Sequence, residues 1–285
     1  MDLSTYKENS INAMKSLNEA IDVANTDEII GSIVEQKMIA SLAYQIAEVS
    51  PVHGPTAANF ALVFQDNKVK LLRGEIGIVN NDPEDTGLTL EAVQDLINQF
   101  GKDAYQYIGN IFGGISAENE NTSLLSLMDS SATAGTNITL SDPKNAETIL
   151  FEAQQEIAES VIKINSKYYR SLDGFAVVPL KVAGAVIASP NIYVDSENTA
   201  GLYLGKNNKI KYYLNPDITS NTCYVGINST LKGNSSIIMS PYQHTVITAS
   251  DYETSNVKVF NVNRYAMTYS EMASIDPMLY KFEIN

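Results

Sequence analysis

The chain has no tryptophan, one cysteine and two histidines in 285 residues, and each scarcity removes a class of function. Cys223 has no second cysteine to pair with, so no internal disulfide staples the fold, as suits a reducing compartment. Its setting, TCYVGI, reads as core. His53, beside Gly54-Pro55, and His244, in SPYQHTV, have no His or Cys at ligand spacing, which argues against metal chemistry; each reads as a hydrogen-bonded core or turn residue. Positive charge is also short: 19 Lys plus Arg stand against 33 Asp plus Glu, a formal charge of -14 that repels phosphate polymers and acidic membranes. No eighteen apolar residues follow one another, and MDLSTYKENS offers neither the basic start nor the apolar run of a leader, so a cytosolic, membrane-free chain is expected. The sequons at Asn137 and Asn228 would matter only on a secretory route. Phosphate-cradling GxxxxGK(S/T), GxGxxG and GxSxG patterns are missing as well. The 16 tyrosines could suggest a sugar- or base-stacking platform, but they are spread from Tyr6 to Tyr280 and suit a large protein interface equally well.

What is present is enough apolar residue, 44%, to build a sizeable core. Ile11, Met14, Leu17, Ile21 and Ala24 step as one helix, and Ile29, Ile30, Ile33, Val34, Met38, Leu42 and Ile46 as a second that reaches toward Ser50-Pro51. Phe60 to Phe64 reads as a buried strand and Lys68 to Val79 as an exposed β-arm, whose apolar residues alternate with Lys68, Lys70, Arg73 and Glu75. A ribbon of that kind cannot bury both faces in its own monomer and so is expected to lie on a neighbour.

From Thr86 to Phe112 the positions Leu90, Val93, Leu96, Ile97, Phe100, Ala104, Tyr107, Ile108, Ile111 and Phe112 keep the period of a long amphipathic helix, with Gly101 and Gly109 weakening its second half. Ala117 to Gly135, rich in Ser, Asn and Thr, is expected to be a loop. Asp142-Pro143 then caps a helix striped by Leu150, Ala153, Ile157, Val161 and Ile164. From Gly174 onward, short apolar runs such as FAVVPLKV, GAVIAS, IKYYL and TCYVGI alternate with turn residues, the pattern of an antiparallel meander with one helix near Asn191. The carboxylate pairs Glu152/Glu156 and Glu118/Glu120 read as solvated faces rather than an acid–base site. The class is α+β.

MIASLAYQIAEVSPVHGPTAANFALV (38–63), LTLEAVQDLINQFGKDAYQYIGNI and FAVVPLKVAGAVIASPNI, in this order, resemble segments of the major capsid proteins of T-even-type tailed phages: the first is similar to that family's helix, proline turn and F-A-L strand, the second to its spine helix and the third to a strand ending in Ser-Pro-Asn. The C-terminal block is matched by Tyr213 to Pro216, Val225-Gly226, Pro241-Tyr242 and Arg264 to Met267. Ala57 and Ala266 stand where the family has glycine, and there is no room for the inserted accessory domain of many relatives. Ile33-Val34-Glu35 and Ile46-Ala47-Glu48 match the family's loose prohead-protease pattern, yet with the chain beginning at Met1 no cleavage is expected.

The resemblance implies an HK97-like phage capsid fold: an N-terminal helical arm (1–50), a P domain with the spine helix (51–65 and 88–173), an E-loop (66–87), a strand-rich A domain (174–262) and a C-terminal strand or tail returning to the P domain (263–285). It implies a structural protein, not an enzyme, that self-assembles into pentamers and hexamers of a phage head, formed in the bacterial host cytoplasm. Such a shell encloses double-stranded DNA without reading it and meets portal, decoration and other capsid proteins. No cofactor, metal or membrane is implied, and Lys68, Lys70, Arg73 and Glu75 are candidate inter-subunit contacts. A pentamer-only vertex protein of the same family, and a monomeric ligand-binding module, are the alternatives.

Overall fold

The computed structural model describes residues 7, 23–52, 56–65, 68–77, 79–80, 84–89, 95–96, 98–101, 103–142, 144–168, 173–194, 201–207, 210–228, 233, 235–250, 257–274 and 276–285; in 23–27, 56–65, 68–77, 79–80, 84–89, 103–105, 167–168, 246–250 and 257–261 it describes the backbone alone. The helix expected over residues 11–24 lies almost wholly outside these residues, as does His53. The second expected helix is present as α1 (Val23–Ala40) and a single turn, α2 (Ala43–Ile46). It stops four residues before Ser50 because the chain turns into a short strand, β1 (Glu48–Val49), parallel to β11 (Ile237–Ser250). Ser50 N–H donates to Met239 O at 2.8 Å and Val52 N–H to Pro241 O at 3.2 Å, so the segment around Pro51 still satisfies its backbone against a neighbouring strand.

The long helix is displaced from its expected position. Glu84–Thr89 is a strand, β5, and residues 95, 96 and 98–100 are helical up to Gly101, whose φ of 60° breaks the run. The spine helix proper, α3, is Asp103–Ser131: 29 residues, about 43 Å at 1.5 Å each. It runs through most of the segment expected to be a loop. Phe112, Ser116, Ala117, Glu120, Asn121, Leu124 and Met128 form its buried stripe, so the helical period is kept, but polar side chains occupy its middle.

A mixed sheet lies at the centre, in the order β6 (Thr133–Ala134), β13 (Leu279–Glu283), β10 (Thr222–Asn228), β7 (Asp173–Val178), β9 (Ile210–Leu214), β8 (Tyr203–Asn207). It is not the expected antiparallel meander: β7 runs parallel to β9 and β6 parallel to β13. Both faces are buried. Ala176, Val178, Tyr212, Cys223, Val225 and Ile227 face one cluster, while Phe175, Val177, Tyr213 and Tyr224 face another. This two-sided burial is why the strands read as continuous apolar runs.

The first face is covered by α4 (Ala146–Tyr168) and α5 (Leu180–Ala188). The cap of α4 is Asn145, whose Oδ1 accepts from Glu147 N–H at 3.0 Å; Asp142, the expected cap, instead accepts from Lys144 N–H at 3.1 Å. Residues 180–188, expected as strand, form α5, with Pro179 in extended geometry (φ -67°, ψ 161°) separating it from β7. The second face rests on α2, α3 and a second sheet. In that sheet β11 pairs with β1 and with β12 (Val257–Tyr269), and β12 also pairs with β4 (Val79–Asn80) and β5. A 3₁₀ turn, Glu271–Ser274, leads into β13. The strands expected in one C-terminal half therefore belong to two sheets.

Candidate assembly interface

The expected arm, Lys68 to Val79, supplies one strand of a two-stranded ribbon, and Phe60 to Phe64, read from the sequence as a separate buried strand, lies in the other. β2 (Thr56–Gln65) and β3 (Lys68–Gly77) pair antiparallel over ten positions each, from Thr56↔Gly77 at the base to Gln65↔Lys68 at the tip, and among the described residues neither pairs with another strand. Ten residues at about 3.4 Å carry the tip some 30 Å from the base. Lys68 sits opposite Gln65, Lys70 opposite Val63, Arg73 opposite Phe60 and Glu75 opposite Ala58, so all four candidates lie along one strand. Beyond the ribbon, β4 and β5 return the chain to the body through β12.

The body is locked at a junction that sequence reasoning missed. α1 crosses α3 where Gly109 and Gly113, one turn apart, give it room: a Cβ on Gly109 would sit 2.5 Å from Ser32 Cβ and 2.8 Å from Ile29 O, and one on Gly113 2.7 Å from Gln36 Cβ and 2.8 Å from Ile33 O. Two turns along α3, Glu120, expected on a solvated face, is fully buried. Its Oε1 lies 2.6 Å from Lys37 Nζ and accepts from Asn263 Nδ2 at 2.8 Å, while Asn263 Oδ1 accepts from Lys37 Nζ at 3.0 Å. One lysine from α1, one glutamate from α3 and one amide from β12 thus close a three-membered ring. The adjoining Asn121 accepts from Leu42 N–H at 2.7 Å and donates to Ala40 O at 3.2 Å, satisfying the chain where α1 gives way to α2. The sequence signal was the lysine itself, set within an otherwise buried helical stripe.

The remaining candidates are structural. Glu152 accepts hydrogen bonds from the Ser141 N–H, at 3.2 Å, and from the Ser141 hydroxyl, tying the preceding loop to α4; Glu118 is exposed on α3. His244 is fully buried on β11, opposite Asn263. Cys223 is core, and burial pushes its thiol pKa well up. Burial also raises the Tyr212 phenol to about 12, against the lowering effect of its hydrogen bond with Gln154, and raises Tyr213 further still. Two open clefts, of about 390 and 380 Å³, lie beside α4 and α3. Among the described residues no group of three or more His, Cys, Asp or Glu gathers to hold a metal, and no helix is long and apolar enough to cross a membrane.

A two-sided central sheet, a spine helix carrying an N-terminal helix and a self-paired ribbon define the HK97-like capsid fold. The chain is similar to a virus-like particle protein from Pyrococcus furiosus (12% identity, TM-score 0.53, 90% of this chain and 98% of that one). It is similar also to the capsid protein of cyanophage P-SCSP1u (8%, 0.50, 85% and 88%) and to that of a native GTA particle (12%, 0.50, 85% and 89%). No curated protein matches it in sequence. The family model of the major capsid protein Gp23 matches residues 85–280, and the chain belongs to that family. It is a shell-forming structural protein of the virion capsid, working as a homo-oligomer.

Proposed function

We propose that the chain is the major head subunit of a T-even-type tailed phage, forming the pentamers and hexamers of a closed shell around double-stranded DNA, with no enzymatic role. Residues 1–50 serve as the N-arm, 66–87 as the E-loop, 51–65 and 88–173 as the P domain, 174–262 as the A domain and 263–285 as the returning tail. Assembly takes place in the host cytoplasm, and the finished shell meets portal and decoration proteins. The net charge of -14 keeps the enclosed DNA from adhering to the wall.

The observation that carries this reading is the ribbon. A two-stranded hairpin is marginal by itself in water, so ten paired positions with no further strand bonded to either edge among the described residues are explained by a surface on another copy. Lys68, Lys70, Arg73 and Glu75 make the contacts there. Head-to-tail contacts of this kind close into rings when the rotation per copy permits, and small changes in that rotation allow rings of five and six. The test is to shorten the ribbon by removing residues 61–72 and joining Phe60 to Arg73 through Gly-Gly. The shortened subunit should keep its circular dichroism and urea midpoint and fail to form rings or shells. Normal assembly of the shortened subunit would refute the assignment.

A further inference from the structure

α4 and α5 are apolar on two sides. Their inner sides cover the central sheet through Leu150, Ala153, Ile157, Val161, Val182 and Val186. Their outer sides carry Phe151 and Ile162, eleven residues and three turns apart on α4, and Leu180 and Ile187, seven residues and two turns apart on α5. These four side chains are 68%, 63%, 55% and 69% exposed. Within α5 every residue but Lys181 is uncharged and apolar or glycine, a composition that belongs in an interior. Gly184 sits between Leu180 and Ile187, and a Cβ there would meet nothing within 4 Å among the described residues, so no contact among them explains a helix-weakening glycine. Beside Phe151 a cleft of about 390 Å³ opens between α4 and the β8–β9 pair, lined also by Gln155, Ala158, Ile210 and Tyr212.

We propose that this outer face of α4 and α5 is a subunit–subunit contact, covered in the assembled ring by a second copy of the chain. The proposal rests on the shell-forming reading above and adds a surface distinct from the ribbon. A second copy is the occupant that the chain's homo-oligomeric assembly supplies: the line Phe151, Gln155, Ala158, Ile162 is itself uncharged, with Glu147 one turn before it and the Glu159–Lys163 pair at its edge, and the exposed Lys181 of α5 suits a neighbour bearing -14. Four large apolar side chains supply a substantial share of the roughly 800 Å² per partner that a stable contact buries. The contact is head-to-tail, a protrusion of the neighbour entering the cleft beside Phe151.

The experiment compares the full chain with Ile162→Lys and Ile187→Lys, and uses Ile162→Cys as a thiol probe, Cys223 being buried. Both lysine variants should keep the wild-type urea midpoint while raising the concentration needed for rings or shells at least tenfold. The thiol at 162 should react at least tenfold more slowly in assembled particles than in dissociated subunits. Wild-type assembly by both lysine variants, or equal thiol reactivity in the two states, overturns the proposal. Protection that appears only when other head proteins are added overturns it too, in favour of a different capsid component. A wild-type chain that never assembles removes the shell-forming reading itself, a result distinct from failure of this face.

Discussion

Lys37 Nζ and Glu120 Oε1 are 2.6 Å apart with side chains 1% and 0% exposed, an ion pair sealed between α1 and α3. Asn263 of β12 bonds to both partners, so the pair joins three elements that are far apart in sequence. Such a pair adds little net stability over a well-packed apolar replacement, but losing one partner strands a buried charge.

The first prediction follows from that asymmetry. Lys37→Met and Glu120→Leu should each destabilise the subunit by about 3 kcal/mol or more, while the double variant should lose clearly less than the sum. Urea unfolding of the four proteins measures the coupling. Additive losses would mean that the pair does not hold α1 in place.

Glycines on α3 should divide into two kinds. Gly109→Ala and Gly113→Ala push a methyl group against Ile29 O and Ile33 O and should cost about 1–3 kcal/mol as α1 is displaced. Gly114→Ala, where nothing among the described residues lies within 4 Å, should stabilise the free subunit by up to about 1 kcal/mol through helix propensity alone. Thermal melts of the three variants check the order.

Alkaline pH should unfold the subunit. Tyr212 is raised to about 12 and Tyr213 also upward, chiefly by burial. Because the folded state holds these protons more tightly than the unfolded chain, their contribution is complete below pH 10 and is lost as pH climbs toward 12. The urea midpoint should fall between pH 10 and 12, and Tyr212→Phe should flatten part of that fall. A midpoint that is constant across this window would contradict the burial.

Cys223 should be inert while the chain is folded. Its thiol is fully buried and its pKa is raised by that burial, so alkylation at pH 8 should be at least about 100-fold slower than for a free thiol and should recover in denaturant. Rapid alkylation of the native subunit would show that the central sheet opens.

Where the apolar period was carried by apolar residues, the fold was legible. Leu150, Ala153, Ile157, Val161 and Ile164 marked α4, and all five are buried. One strand of the ribbon, β3, was legible from the alternation of Lys68 and Lys70 with Val69 and Leu71, but its pairing with β2 was not. The second half of α3 was hidden because its buried stripe runs through Ser116, Glu120 and Asn121, residues that read as loop until their partners Lys37, Ala40, Leu42 and Asn263 are known. α5 was misread because a nine-residue apolar run has no phase: with both sides apolar, helix and strand look alike. Gly101 and Gly109 were both read as weak points, but one ends a helical run at φ 60° while the other admits a neighbouring helix. Ladder register and pairing across the two sheets depend on segments far apart in the chain, as in Glu48 and Val49, which pair with Ile238 and Met239, and no local pattern encodes them.

The central claim is that this chain builds a shell from copies of itself. Light scattering with negative-stain imaging of the purified full chain, across concentration and salt, tests it most directly. The account predicts rings, tubes or closed particles that grow with concentration. A species that stays at the 31.1 kDa of one chain at every concentration, and also when expressed beside other head proteins, would contradict it.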